Sequence, residues 1–238
     1  MVLASEKIFY YHIPRTGGTA IEKFLLEYYN YKPFNLTTFT YGLIQWYATN
    51  GSSWAVQSIA HLPFTEIVEL SERSKIQIDN SWDIFTLVRD PYQRITSAIL
   101  FQFLANQEMP DELYKQRSLF SKAQKQFFST DPNRNEWFNH RVPQSTLLDV
   151  QVDQHRVNVY KYEDSLEAAL TSQFNNRVTL PEYLPKVNDY YFENNKPKVE
   201  YIYLWDRSFI ETVNSLYFED FKRFNYSMLD PKAFPPSW

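Results

Sequence analysis

The sequence contains no cysteine, which excludes disulfide bonds, thiolate metal sites and catalytic thiols. Its four histidines (His12, His61, His140 and His155) show no metal-binding spacing such as HExxH, so we expect no metal. No apolar run reaches the roughly 18 residues that a membrane-spanning helix needs. The first residues also lack the apolar core of a secretory signal, so we expect a cytoplasmic protein.

The chain has little excess charge, with a formal net charge of −4. This charge argues against a nucleic-acid partner, so an anionic ligand would need a local cationic site. With 238 residues and no repeat or low-complexity linker, the chain is expected to form a single domain over residues 1–238. Its 18 Tyr, 19 Phe and 6 Trp predict an aromatic-rich core, or rings that line an acceptor pocket.

Short strands alternate with helices along the chain. Residues 7–12, 82–88 and 157–162 are β-branched or aromatic runs typical of buried strands, and each precedes a helical pattern. This order predicts an α/β fold with a central parallel sheet flanked by helices. Residues 106–139, helical around 119–128, are expected to form an insertion or lid, and residues 179–198 a long irregular loop.

Glycine is rare, yet two of the four glycines, Gly17 and Gly18, are adjacent where the first strand turns into a helix. Such a loop lets backbone N–H groups and the helix N-terminus face an anion. Arg15 adds a charge, and Thr16 and Thr19 add hydroxyl donors, which suits a terminal phosphate or sulfate. Neither GxxxxGK[ST] nor GxGxxG is present. The alternative is a Gly-Gly turn with a purely structural role.

A second cationic element follows the strand at 82–88. Arg89 would project from the carboxyl end of that strand, where ligands bind in open α/β sheets, and Ser97 lies in the next helix. A guanidinium and a hydroxyl together suit a phosphate. The alternative is that Arg89 pairs with Asp90 while Ser97 packs inside the helix. Both elements together indicate a ligand with two separated anionic groups.

These motifs resemble those of the sulfotransferases that use 3′-phosphoadenosine 5′-phosphosulfate (PAPS). HIPRTGGT at 12–19 is similar to their 5′-phosphosulfate loop, and LVRDPYQRITSAILF at 87–101 to their 3′-phosphate element. The nearest branch is that of the carbohydrate enzymes, such as the heparan sulfate 2-O-sulfotransferases. Further similarities follow in the family's order: VPQSTLL, VYKYEDSLEAAL, LPKVN and LYFEDFKRFNY.

The resemblance implies a single P-loop-like domain that needs no metal ion. It implies that Arg15–Thr19 bind the 5′-phosphosulfate of PAPS, and that Arg89 with Ser97 binds the 3′-phosphate, which the product 3′-phosphoadenosine 5′-phosphate (PAP) retains. The sequence departs from the family at Arg15, where lysine is usual. The planar guanidinium of arginine therefore replaces the compact ammonium group of lysine. The implied acceptor is a hydroxyl or amine of a carbohydrate or small metabolite.

Sulfuryl transfer also needs a base for the acceptor proton, and a histidine or glutamate is expected. His61, in SIAHLPF, lies between the two cofactor motifs, where the resembling branch carries its histidine base. The alternative is a histidine hydrogen-bonded within a loop. Glu66 and Glu163 are fallback bases, whereas His12 belongs to the strand end that shapes the loop.

Two other functions remain open from the sequence. One is a kinase-like phosphotransferase, which would need Mg²⁺ and a Walker-type lysine. The other is a non-catalytic module that binds a nucleotide, for which His61 would have no use. The acceptor surface is expected to come from residues 35–54 and 106–139, the least motif-like parts of the chain.

Overall fold

A computed structural model of the chain describes residues 2–3, 6–29, 63–73, 77–104, 110–129, 138–148, 156–175, 177, 180 and 200–236. The chain forms two compact units. We call Met1–Val88 with Gln144–Pro185 the sheet unit, and Arg89–Pro143 with Lys186–Trp238 the helical unit. The expectation of one domain over residues 1–238 stays a prediction. No helix in the described parts of the chain is long and apolar enough to cross a membrane.

The sheet unit contains a sheet whose strands follow the chain order β1-β2-β3-β4. The strands are β1 (Val2–Leu3), β2 (Ile8–Tyr11), β3 (Asp83–Val88) and β4 (Asn158–Lys161). β3 pairs in parallel with both β2 and β4, so the predicted parallel sheet is confirmed. β1 pairs antiparallel with β2 and was not predicted, because two residues are too few for a strand pattern.

The α-helices of the described residues alternate with these strands and then continue to the C-terminus. They are α1 (Gly18–Tyr28), α2 (Phe64–Arg73), α3 (Pro91–Ile99), α4 (Leu113–Ser129), α5 (Phe138–Arg141), α6 (Gln144–Leu147), α7 (Leu166–Phe174), α8 (Arg207–Leu216) and α9 (Phe218–Arg223). Shorter turns are the π-helical Leu100–Leu104, which continues α3, and the 3₁₀ turns Tyr162–Asp164, Tyr201–Leu204 and Pro231–Ala233.

Helices cover both faces of the sheet. On one face, Phe85 of β3 packs edge to face against Phe174 of α7, with ring centroids 5.7 Å apart, in a cluster that also includes Leu25 of α1. On the other face, Phe64 of α2 stacks on Phe9 of β2 at 5.3 Å. The predicted α/β fold with a helix-flanked sheet is therefore confirmed.

Local sequence signals set where several helices begin. Asp90, Ser165 and Asp206 each cap a helix by accepting a hydrogen bond from a backbone N–H three residues on, at 3.0, 3.1 and 2.7 Å respectively. Pro91 occupies the first turn of α3, as expected from the missing N–H of proline.

The helical unit has its own core, in which α3, α4 and α8 pack together. Phe120 of α4 meets Phe209 of α8 edge to face at 5.5 Å, and Leu100 and Leu104 of the π-helical turn lie in the same cluster. The helix predicted around 119–128 is confirmed and longer than expected. The irregular loop predicted at 179–198 lies outside the described residues except at Leu180.

Candidate functional site

The loop from β2 to α1 has an unusual backbone. Arg15 has φ 67° and Gly17 has φ 85°, so two positions in this short turn are left-handed. Turns of this kind direct backbone N–H groups to one side and form anion-binding concavities. Gly18 begins α1, and the first N–H groups of a helix have no acceptor in their own helix. The loop that the sequence predicted as an anion site therefore has a suitable backbone.

Gly17 permits a close approach between this loop and the chain after β4. A Cβ atom on Gly17 would lie 3.0 Å from Cε2 of Tyr162 and 3.1 Å from Cδ2 of Leu166. These contacts are too tight for any larger residue without movement, and the positive φ also disfavours one. The sheet unit thus brings the glycine loop against the carboxyl end of a second parallel strand, the usual ligand edge of such sheets.

Thr16 differs from the prediction in the direction of its hydroxyl. Its side chain is buried, and Oγ1 donates to the carbonyl of Ile13 at 2.8 Å. A hydroxyl has one proton, so this bond closes the turn and the backbone N–H of Thr16 is its remaining donor. Sequence reasoning could not find this, because a hydroxyl in a loop gives no sign of which way it turns.

A histidine and a glutamate pair behind the loop. Nδ1 of His12 lies 3.2 Å from Oε1 of Glu22 in α1, and both side chains are about nine-tenths buried. The imidazole lies against Gly18, where a Cβ atom would be 2.2 Å from Cδ2 of His12. Burial, and then the charge of Glu22, raise the pKa of the neighbouring Tyr10 hydroxyl well above its ordinary value. Glu22 was not predicted; His12 shapes the loop as expected.

Arg89 and Ser97 both lie in the helical unit. Arg89 is the first residue after β3, and its guanidinium carbon lies 5.9 Å from the ring centroid of Tyr201. Ser97 is on α3 and only 5% exposed. Asp90, considered as a partner of Arg89, caps α3 through a hydrogen bond from the backbone of Gln93. No pattern in the sequence indicates Tyr201 as a neighbour of Arg89.

The candidate bases fall in different places. His61 lies outside the described residues, as does His155. Glu66 is exposed in the first turn of α2, and Glu163 is exposed in the 3₁₀ turn that follows β4. His140 is buried in the helical unit, where its ring stacks on Phe101.

A buried cation that the sequence did not single out lies on α3. Arg94 is fully buried, and Nη2 donates to the carbonyl of His140 at 3.4 Å. The Tyr217 hydroxyl donates to the carbonyl of Arg141 at 2.8 Å. The charges of Arg94 and of the buried Asp220 both act on this hydroxyl. Burial raises the pKa of the Tyr217 hydroxyl well above its ordinary value. These contacts stabilise the helix that carries Ser97.

The described residues contain no group of three or more His, Asp or Glu side chains that could hold a metal ion. Residues 35–54, expected to contribute to the acceptor surface, lie outside the described part of the chain, while 110–129 and 138–139 of the second expected segment are described.

Comparison with known families matches residues 1–227 to the Sulfotransferase family. Comparisons with curated proteins and with solved structures found no match.

Proposed function

Because the chain belongs to the sulfotransferase family, we propose that it moves a sulfuryl group from PAPS to a hydroxyl or amine acceptor. The observation that carries the proposal is the loop between β2 and α1, where left-handed residues and the start of α1 favour an anion. The close contacts at Gly17 and Gly18 disfavour side chains at both positions, so the backbone of this loop depends on its two glycines.

In this proposal the loop stabilises the group that leaves. The acceptor oxygen bonds to sulfur while the bond between sulfur and the phosphate oxygen breaks, and the phosphate keeps the electron pair. Arg15 and the backbone N–H groups at the start of α1 offset the negative charge that develops there. His61 takes the acceptor proton as general base, as its position between the motifs suggests.

Arg89 and Ser97 are proposed to bind the 3′-phosphate. A guanidinium donates two parallel hydrogen bonds to a phosphate, and a hydroxyl adds a third. This assignment predicts that PAP binds far more tightly than adenosine 5′-phosphate, which lacks the 3′-phosphate. Calorimetry with both nucleotides tests it, and equal affinities would contradict the assignment.

Sulfation itself is tested with labelled PAPS and a panel of acceptors, with products identified by mass spectrometry. Carbohydrate hydroxyls, suggested by the resemblance to the heparan sulfate branch, are compared with small alcohols, phenols and amines. We expect transfer in excess EDTA, because the charge of the leaving group is held by Arg15 and backbone donors. Turnover that requires Mg²⁺ would favour a kinase-like reaction, and PAP binding without any transfer would favour a binding module.

The role of Arg15 is tested with two substitutions and one control. Arg15→Ala should lower turnover by about 10²–10³, the usual effect of removing one charge-stabilising donor. Arg15→Lys, the residue usual in the family, should retain most of the activity. Arg177→Ala is the matched control, because Arg177 is an exposed arginine of the same unit. Equal loss in Arg15→Ala and Arg177→Ala would contradict the role of Arg15.

The role of His61 is tested through the separation of turnover from binding. His61→Ala should lower kcat by about 10²–10⁴ and leave PAP affinity within a few-fold. Since the neutral imidazole is the base, wild-type activity should fall at acidic pH, where a histidine becomes protonated, and His61→Ala should lose that dependence. Near-normal turnover of His61→Ala on an aliphatic alcohol would transfer the role to Glu66 or Glu163.

A further inference from the structure

We propose that Tyr201 is a positioning residue that holds the Arg89 guanidinium for the 3′-phosphate, so that the turn Tyr201–Leu204 helps to set nucleotide specificity. The inference rests on the proposed function, because it takes Arg89 as a phosphate ligand. Its direct basis is the contact between Arg89 and Tyr201, with 5.9 Å between the guanidinium carbon and the ring centroid. This distance is within the range of cation–π contacts.

A cation–π contact suits a phosphate-binding arginine. The ring attracts the charge of the guanidinium, and the contact itself uses none of the N–H donors. It therefore limits the rotational freedom of the side chain without taking up the donors that phosphate binding needs. An arginine side chain otherwise loses much of its conformational entropy when a ligand immobilises it. Tyr201 would meet part of that cost before the nucleotide arrives.

The turn that carries Tyr201 is itself anchored. Trp205, which directly follows the turn, is buried, and its indole N–H donates to Oγ1 of Thr96 at 2.8 Å. The Thr96 hydroxyl donates a hydrogen bond to the carbonyl of Tyr92 at 2.7 Å, so its oxygen can accept the hydrogen bond from Trp205. Thr96 immediately precedes Ser97 on α3. One end of the turn thus contacts Arg89, and the other is bonded to the neighbour of Ser97.

A further bond fixes the middle of the turn. Nε of Arg117 on α4 donates to the carbonyl of Tyr203 at 2.6 Å. The Tyr203 ring is 51% exposed, whereas Tyr201 is half-buried against the core of the helical unit. Two tyrosines of one turn therefore differ in their contacts, and Tyr203 provides a matched control for Tyr201.

The experiment measures the affinities of PAP and adenosine 5′-phosphate for four proteins by calorimetry. Tyr201→Leu should weaken PAP binding by about tenfold, within the range of a partly buried cation–π contact. Its affinity for adenosine 5′-phosphate should stay within twofold of wild type. Tyr201→Phe keeps the ring face and should bind PAP like wild type, and so should Tyr203→Leu. Thermal unfolding confirms that the four proteins are folded to the same extent.

The outcomes separate the inference from the function on which it rests. Equal wild-type affinities for the two nucleotides would overturn the proposed 3′-phosphate site, and the inference with it. A wild-type preference for PAP that Tyr201→Leu retains in full would overturn the inference alone. Equal weakening of both nucleotides by Tyr201→Leu would also overturn it, because a merely structural role predicts that result. Adding Tyr201→Leu to Arg89→Ala should cause no further loss if Tyr201 acts through Arg89.

Discussion

Replacing Gly18 by alanine tests the packing behind the glycine loop. Alanine at the first turn of α1 would gain at most about 1 kcal/mol of helix propensity over glycine. The new Cβ atom, however, would lie 2.2 Å from Cδ2 and 2.3 Å from Nε2 of His12, far inside contact distance. Overpacking of this kind costs about 1–3 kcal/mol. This cost should outweigh the gain in helix propensity, so Gly18→Ala should destabilise the protein.

The cause can be isolated by removing the imidazole. His12→Ala alone should cost about 1–3 kcal/mol, because the buried Glu22 carboxylate loses the imidazole that lies 3.2 Å from it. Within that background the His12 atoms closest to the new Cβ atom are absent, and Gly18→Ala should become neutral or stabilising by up to about 1 kcal/mol. The cost of Gly18→Ala should therefore differ by about 1–3 kcal/mol between the two backgrounds.

Urea unfolding of the four proteins measures this coupling from midpoints and slopes. Gly17→Ala provides the control, because its closest contacts are Tyr162 and Leu166 rather than His12. Its cost should be the same, within about 0.5 kcal/mol, whether or not the imidazole is present. Additivity of Gly18→Ala and His12→Ala within that margin would refute the packing argument.

Three further predictions concern charge and strain. The raised pKa of Tyr217 means that the folded state holds this proton more tightly, so the contribution of this group to stability is constant below about pH 10 and falls above it. Tyr217→Phe should flatten that decline by up to about 1.4 kcal/mol per pH unit, as measured by unfolding at several alkaline pH values. Arg177→Ala should change the unfolding free energy by less than about 1 kcal/mol, because the Arg177 side chain of its pair with Asp83 is largely exposed; a larger loss would contradict this. Arg15→Gly should leave the unfolding free energy unchanged or up to about 1 kcal/mol higher, while turnover falls; a marked loss of stability would show that folding needs the side chain.

Much of the fold could be predicted because it depends on local patterns. β2 is a run of four buried residues, and Pro91 with Asp90 marks the start of α3 in the sequence itself. The short strand β1 escaped prediction because its residues form a strand only through pairing with β2. Whether such a short segment forms a strand depends on pairing with its neighbour rather than on intrinsic strand propensity.

The candidate site could be proposed from residue types in the sequence, whereas its side-chain contacts could not be predicted. Adjacent glycines before a helix indicate an anion loop, and the left-handed Gly17 agrees with that interpretation. The Thr16 hydroxyl, the Glu22 partner of His12 and the Tyr201 ring depend on how distant segments pack. No spacing rule links Arg89 to Tyr201, because a cation–π contact requires only that the folded chain bring the two side chains together.

In the role proposed for Arg15, a local backbone penalty competes with a functional gain. A left-handed non-glycine residue costs about 1–2 kcal/mol, and glycine would remove most of that cost. Stabilising the charge on a leaving group is worth about 3–4 kcal/mol of the reaction barrier. The lowering of the reaction barrier is larger than the backbone cost. Selection for turnover would therefore keep a charged side chain at a position whose backbone favours glycine. The turn itself is maintained by the bond from Thr16 to Ile13, so the strain at Arg15 does not open the loop.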